Sequence, residues 1–166
     1  MISVQEVIYK DKIFSVAGKI THELVSQSSN FIYKINADGT DYILRIDGEQ
    51  KDYLGLNRSL EVAAMKQAAD IGLSPKILSS DDERYIVMEY ISGGYINGEK
   101  MLEWEYIIKM VDVMKKAHRI TVTGRECSPF YMLDRYIAGI KSFNVPIPDG
   151  FYESLKMLPE IEKRYS

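Results

Sequence analysis

The sequence is poor in the residue types that several kinds of site require. Cys127 is the only cysteine among 166 residues, so the chain can form neither an internal disulfide nor a cysteine-based zinc site. His22 and His118 are the only histidines, and neither has acidic residues at the spacing of metal ligands. We therefore expect no metal site in this chain. The lack of disulfides is typical of a reducing, cytoplasmic setting.

Long apolar runs, a basic excess and glycine-rich phosphate motifs are missing as well. No stretch approaches the roughly 20 apolar residues of a membrane-spanning helix, and the start MISVQEVIYK lacks a signal-peptide pattern. The net charge of -3 and the pI of about 5.5 leave no basic footprint for nucleic acid. Neither GxxxxGK[ST] nor GxGxxG occurs. We expect neither nucleic acid nor a membrane as a partner.

The residues that are present favour a folded chain whose two parts differ in structure. Hydrophobic residues make up 46% of the sequence, which is enough for a sizeable core. Alternating apolar and polar residues predict three antiparallel strands joined by tight turns, and two further strands follow a helix. From about residue 101 onward, apolar residues recur at helical spacing. The predicted strands are 20–26, 31–35, 41–46, 76–78 and 85–90.

Local end signals define the predicted helices. Asn57 is a good N-cap for the helix between the third and fourth strands, and Gly72 with Pro75 ends that helix. A second helix, 103–118, carries an apolar stripe that predicts a core position for Trp104. Further helical segments are predicted at 131–143 and 150–158. The order of these elements predicts an α+β fold.

Arg45, Glu61 and the turn Ser28, Ser29, Asn30 are the residues with the clearest chemical potential. Arg45 lies in the third strand, where its guanidinium could bind phosphate oxygens or simply face solvent. Glu61 lies in the first turns of the helix, where it could orient Arg45 or only favour the helix dipole. The turn is built of small polar residues whose N–H groups could approach phosphate, but an ordinary hairpin fits it equally.

These features occur in the order of a kinase N-terminal lobe. In the segments SSNFIYKI, DYILRIDG, IGLSPKIL and YIVMEYISGG, the sequence resembles the choline/ethanolamine kinase family, within the aminoglycoside phosphotransferase-like superfamily. The resemblance implies a protein-kinase-like N-lobe, a five-stranded antiparallel sheet plus one helix, over residues 1–92. It implies a hinge at 93–100 and the first helices of an incomplete helical C-lobe at 101–166.

The resemblance also implies a role for each matching residue. Arg45 would contact nucleotide phosphates, and Glu61 would orient Arg45. The turn would cover the phosphates, although it lacks the glycine that the family often has there. Residues 88–91 match the segment, called the hinge segment here, whose backbone groups hold the adenine of ATP in the family. The implied nucleotide-binding residues are Arg45, Glu61, Ser28, Ser29, Asn30, Met88, Glu89, Tyr90 and Ile91.

One part of the family pattern does not occur in this sequence. The loop His-x-Asp-x-x-x-x-Asn, which supplies the catalytic Asp and a magnesium ligand, follows neither His22 nor His118. We therefore expect no catalytic residue and no magnesium ligand here, weak or absent ATP binding, and no activity of the chain alone. The chain would be the N-terminal portion of a longer enzyme, cut before the chemistry. Its exposed apolar surface would favour self-association.

The acceptor and the class of function stay open at this point. The complete enzyme would phosphorylate a small hydroxyl compound, with choline or ethanolamine as first choices. An aminoglycoside or another small alcohol is an alternative acceptor. A second alternative is a non-catalytic, pseudokinase-like module that binds a nucleotide or a partner.

Overall fold

A computed structural model describes residues 2–48, 57–81, 84–121 and 129–165. Cys127 lies outside these ranges. The described residues divide into two compact units, the first made of 2–48, 57–81 and 84–121, the second of 129–165. This division falls after the predicted hinge at 93–100. The lobe boundaries stay a prediction, since compactness alone does not define a lobe.

Within the described residues, five antiparallel strands form one sheet in the order β1-β2-β3-β5-β4. The sheet predicted from the alternating pattern is therefore confirmed, and its strands run one or two residues beyond several of the predicted limits. The strands are β1 Ile20–Gln27, β2 Asn30–Ala37, β3 Thr40–Asp47, β4 Ile77–Ser80 and β5 Tyr85–Glu89.

The β2–β3 hairpin turns on two residues in left-handed conformation. Asp38 has φ of 50° and Gly39 has φ of 87°, the pattern of a type I′ turn whose twist matches that of the strands. The Asp38 carboxylate also accepts hydrogen bonds from the backbone N–H groups of Gly18 and Lys19, at 2.9 and 2.8 Å. This hairpin fixes the register that places Ile32 opposite Arg45.

A helix that the sequence analysis did not predict precedes the sheet. Helix α1, Val4–Lys10, begins at a capping box in which Ser3 and Glu6 each bond the other's backbone N–H group. After α1, the buried Asp11 carboxylate accepts hydrogen bonds from Ser79 Oγ at 2.6 Å and Tyr85 Oη at 3.0 Å. These bonds join the end of α1 to β4 and β5.

Helix α2, Arg58–Asp70, has the ends that the sequence predicts. The side chain of Asn57 accepts from Leu60 N at 3.1 Å and caps the first turn. At the other end, Gly72 has φ of 72° and donates to Ala69 O, while Leu73 donates to Ala68 O. This pair of bonds is the Schellman motif, for which glycine is preferred.

The sheet has an apolar cluster on each face, and β5, which is buried along most of its length, contributes side chains to both clusters. One cluster joins α1 and Phe14 to inward side chains such as Ile35 and Leu44. The other lies against α2 and contains Val62, Ile86 and Met88. Alternate residues of β5 therefore enter opposite clusters, as the period of two requires.

The prediction that Trp104 lies in a core is wrong. A 3₁₀ turn, Lys100–Leu102, leads into helix α3, Trp104–Ala117. The α3 stripe is strongly amphipathic in sequence, but Trp104 is 73% exposed and Ile108 and Met114 are also exposed. Periodicity identifies the helix and its apolar side, but it does not say whether another element covers that side.

The second unit consists of helices in its described part. They are α4 Pro129–Ser142, α5 Phe151–Leu155 and α6 Leu158–Tyr165. The sequence predicted a single helix at 150–158, whereas the structure has two short helices that meet near Met157. A sheet with its helices in the first unit, followed by helices, confirms the α+β class.

Candidate nucleotide site

Arg45 is enclosed by the fold. It lies centrally in β3 with 9% of its surface exposed, so the solvent-facing alternative is wrong. Its Nη1 lies 2.6 Å from Glu61 Oε1 and its Nη2 lies 3.1 Å from Glu61 Oε2. This two-bond arrangement orients the guanidinium plane. The sequence analysis proposed that Glu61 could orient Arg45, and the two side chains are in contact in the structure.

Two more charged residues, which the sequence analysis missed, complete this cluster. Arg58 Nε lies 2.5 Å from Asp47 Oδ2, and Arg58 Nη1 lies 2.5 Å from Glu61 Oε2. The signals were local: Asp47 is two residues beyond Arg45 on the same face of β3, and Arg58 is one helical turn before Glu61. We call Arg45, Asp47, Arg58 and Glu61 the charge cluster.

The predicted phosphate-covering turn lies beside the charge cluster. Asn30 Oδ1 accepts a hydrogen bond from Arg58 Nη2 at 2.9 Å. Within the turn, Ser28 N donates to Asn30 O at 3.0 Å, and Gly48 N donates to Ser29 O at 3.1 Å. The turn is thus attached both to α2 and to the end of β3.

Gly48 allows this close approach because it has no side chain. A Cβ at Gly48 would lie 2.4 Å from Ser29 O and 3.2 Å from Ser29 C, and both of these atoms are backbone. The backbone would have to move to admit it. The glycine that the family often has in the turn is absent, but a glycine beneath the turn allows the two backbones to meet.

Burial and ion pairing shift the two acids of the charge cluster in opposite directions. Burial raises the pKa of Glu61, but hydrogen bonds from Arg45 and Arg58 outweigh it, so the pKa lies below its ordinary value. Burial also raises the pKa of Asp47, and there the charges of Arg58 and Arg45 only partly oppose it. The guanidiniums therefore favour a charged Glu61 more strongly than a charged Asp47.

One donor of Arg45 stays without a hydrogen bond among the described residues. Arg45 Nε is buried, and it lies 3.8 Å from Asp47 Oδ1, which is also unbonded. A guanidinium has five N–H groups, and the bonds to Glu61 use two of them. The bonds to Glu61 therefore leave Arg45 with further N–H groups, of which the Nε–H is enclosed by the protein.

The predicted hinge segment leaves the sheet at its last strand. Met88 is buried in the α2-facing cluster, while Tyr90 and Ile91 follow the end of β5 and are exposed. Glu89 is attached to the segment before β4, since its N–H donates to Lys76 O at 3.1 Å and its carboxylate accepts from Lys76 N at 2.9 Å. These contacts fix where the chain departs from the sheet.

Apolar side chains share the sheet face that carries Arg45. Ile43 lies two residues before Arg45, and Ile32 is the cross-strand partner of Arg45. Ile43 is paired with Met88 of β5. Because side chains at alternate positions share a face, the half-buried Ile32 and Ile43 form an apolar surface beside the charge cluster, while Met88 is buried in the cluster that faces α2. A flat aromatic base could pack on such a surface.

The acidic residues of the charge cluster form ion pairs with arginines. No group of three or more His, Cys, Asp or Glu residues in the described ranges could hold a metal ion. The two carboxylates nearest the turn, Asp47 and Glu61, are paired with guanidiniums. We therefore assign no step to a metal on these residues.

Comparison with known proteins supports the fold. No family model and no curated protein sequence matches the chain. Among solved structures, an ethanolamine kinase from Plasmodium vivax is similar, with a TM-score of 0.67 and 13% sequence identity. The similarity covers 87% of this chain and 44% of that kinase, so the chain spans less than half of its length.

The chain therefore has a kinase-like fold. The predicted class, a kinase-like N-lobe followed by a helical part, is confirmed, because the similarity extends over most of the chain. At this identity the comparison shows fold alone. The roles of Arg45, Glu61, the turn and the hinge stay predictions. No helix in the described ranges is long and apolar enough to span a membrane.

Proposed function

We propose that this chain is the nucleotide-binding portion of an ATP-dependent small-molecule phosphotransferase of the choline/ethanolamine kinase type. The observation that carries the proposal is the two-bond contact between Arg45 and Glu61, which lies beside the turn 28–30. In phosphoryl transfer, a cation held in this way positions the phosphates and offsets their charge.

Each part of the proposed site has a separate task. The Arg45 guanidinium would bind phosphate oxygens, with Glu61 holding its orientation. The turn formed by Ser28, Ser29 and Asn30 would cover the phosphates through backbone N–H groups. The adenine would pack on the apolar surface, and its polar edge would meet backbone groups of the hinge, Met88 to Ile91.

We propose further that the chain alone does not catalyse transfer. Its sequence has no His-x-Asp-x-x-x-x-Asn loop to orient the acceptor hydroxyl and bind magnesium. Nucleotide affinity is then expected to be weak. The small-alcohol acceptor, with choline or ethanolamine first, would be bound by parts of the enzyme that this sequence does not contain. A cytoplasmic location fits this role and stays a prediction.

Isothermal titration of the 166-residue chain with ADP and with ATP tests the proposal. We expect weak binding that Arg45→Met abolishes, and no change for Lys66→Met, which alters an exposed cation on α2. Binding that survives Arg45→Met unchanged would refute the phosphate role of Arg45. Turnover of choline or ethanolamine with ATP by the chain alone would refute the proposed inactivity.

A further inference from the structure

Arg58 is the residue that joins the most elements of the candidate site. It is the first residue of α2, it is buried, and its guanidinium meets a partner on each of three elements. Nε pairs with Asp47 of β3, Nη1 pairs with Glu61 of α2, and Nη2 donates to Asn30 at the start of β2.

We infer that Arg58 is a positioning residue that fixes the turn 28–30 against α2 and β3, and so sets the place of the phosphate-covering turn relative to Arg45. For its ligand, this inference rests on the proposed function. The positioning role itself is inferred from the contacts of Arg58 and does not depend on which ligand binds. The resemblance gave Arg58 no role, and the comparisons assign it none.

A guanidinium is needed because its three partners, the ion-pair partner Asp47 and the acceptors Glu61 and Asn30, are met by three different nitrogens. Its planar fork presents five donors at fixed angles, whereas a lysine ammonium is a compact charge at the end of a flexible stem. Lysine at position 58 could neutralise one acid, but it could not also hold Asn30 and the second acid in the same geometry. Arg58→Lys therefore separates charge from positioning.

The carboxylate of Glu61 links Arg58 to Arg45. Glu61 Oε2 lies 2.5 Å from Arg58 Nη1 and 3.1 Å from Arg45 Nη2. A displacement of Arg58 would therefore move an oxygen that Arg45 also binds. The turn and the phosphate-binding cation are connected through one shared acceptor.

Burial makes this connection costly to break. Asp47 and Arg58 are both more than nine-tenths buried, so loss of Arg58 would leave the charge on Asp47 with only the more distant Nε of Arg45 at 3.8 Å. A buried charge without a close partner is strongly destabilising. We therefore expect Arg58→Met to destabilise the first unit strongly, and more conservative variants are needed for the test.

Amide hydrogen exchange in the full 166-residue chain, measured without nucleotide, tests the inference. The reporters are Ser28 N–H and Gly48 N–H, whose bonds to Asn30 O and Ser29 O hold the turn. We expect both to exchange roughly tenfold faster in Arg58→Lys and in Asn30→Ala, since a hydrogen bond to a charged group is lost. The buried amide of Leu44 is the internal reference and should not change.

Two further variants complete the design. Arg119→Lys, an exposed arginine after α3, is the matched control and should leave both reporters unchanged. The double variant Arg58→Lys/Asn30→Ala should exchange no faster than Arg58→Lys alone, because the lysine has already lost the contact with Asn30. The inference would be overturned if Asn30→Ala left the exchange rates of Ser28 and Gly48 unchanged, or if those rates increased only together with the rate of Leu44.

The outcomes for Arg58 and for the proposed function are independent. If the reporters respond but Arg45→Met leaves nucleotide binding unchanged, the positioning role holds and the proposed function fails. If Arg45→Met abolishes binding but the reporters do not respond, the proposed function holds and the positioning role fails.

Discussion

At the scale of single residues, the candidate site depends on contacts between side chains that are distant in sequence. Arg45 and Glu61 are 16 positions apart, and Arg58 and Asn30 are 28 positions apart. Each contact requires that α2 lie against the end of β3. Substitutions at these positions therefore report on that packing as well as on local chemistry.

Gly48→Ala is expected to destabilise the first unit by about 1–3 kcal/mol, the usual cost of overpacking. The new Cβ would meet Ser29 O at 2.4 Å, so the turn would have to shift and its bond with Gly48 N would weaken. Urea unfolding followed by circular dichroism measures the change. Gly98→Ala, where a Cβ meets open space, is the control, and equal unfolding midpoints for the two variants would contradict the prediction.

Glu61→Gln is expected to lower stability at neutral pH and to matter less in acid. The pKa of Glu61 is lowered from an ordinary value of 4.5 by its bonds to Arg45 and Arg58, despite burial. Its contribution is therefore complete above that value and is lost as the pH falls through the lower folded-state pKa. We expect a loss of about 1–3 kcal/mol near neutral pH.

Urea unfolding at several pH values measures the effect of Glu61→Gln. The control is Glu105→Gln, which breaks a pair with Lys109 in which both side chains are largely exposed. Solvent screens such a pair, so its effect should be much smaller. A loss for Glu61→Gln that stays constant from neutral to acid pH would disprove the assigned cause.

At the scale of elements, α2 is held at both ends. Its first residue joins the charge cluster, and Gln67 near its other end pairs with the segment that follows α3. Gln67 Nε2 donates to Thr121 O at 2.7 Å, and Thr121 N donates to Gln67 Oε1 at 3.1 Å. One side-chain amide thus satisfies both backbone groups of Thr121.

Gln67→Ala is expected to free the segment after α3 while leaving α2 folded. We expect a loss of about 1 kcal/mol, because the two bonds are partly exposed. The amide of Thr121 should exchange faster, and the amide of Leu60 at the capped end of α2 should not change. Lys66→Ala, an exposed neighbour on the same helix, serves as the control. Equal exchange at Thr121 in the two variants would argue against the contact.

At the scale of the whole molecule, the apolar side of α3 is exposed in the described structure. Trp104, Ile108, Val111 and Met114 are all exposed. Exposed apolar groups in contiguous patches favour association. The apolar side of α3 is therefore a candidate surface for the predicted self-association.

Sedimentation velocity over a dilution series measures that association. We expect larger species at high concentration, which the double variant Trp104→Gln/Ile108→Gln reduces because it removes apolar area. Tyr9→Gln, which alters an exposed aromatic residue on α1, should have little effect. A chain that sediments as a monomer at every concentration would contradict the prediction.

The sequence by itself determined the local structure of this protein. Alternation predicted the strands and the tight turns between them, and Asn57 with Gly72 predicted the ends of α2, since each of these features depends on interactions within a few residues. Helix α1 was missed although Ser3 and Glu6 carry its capping signal. The short helices after residue 150 were merged because periodicity does not mark a break between two amphipathic segments.

Only the tertiary structure decided what the local elements do together. A periodic pattern cannot show that Arg45 is buried, that Trp104 is exposed, or that Asp47 and Arg58 join the pair that the sequence anticipated. Burial and ion pairing depend on which elements cover one another, and that is set by the summed packing of the sheet with α1 and α2. The sequence indicated the pair of Arg45 and Glu61. The packing of α2 against the sheet adds Asp47 and Arg58 to that pair, and Arg58 connects the charge cluster to the turn through Asn30.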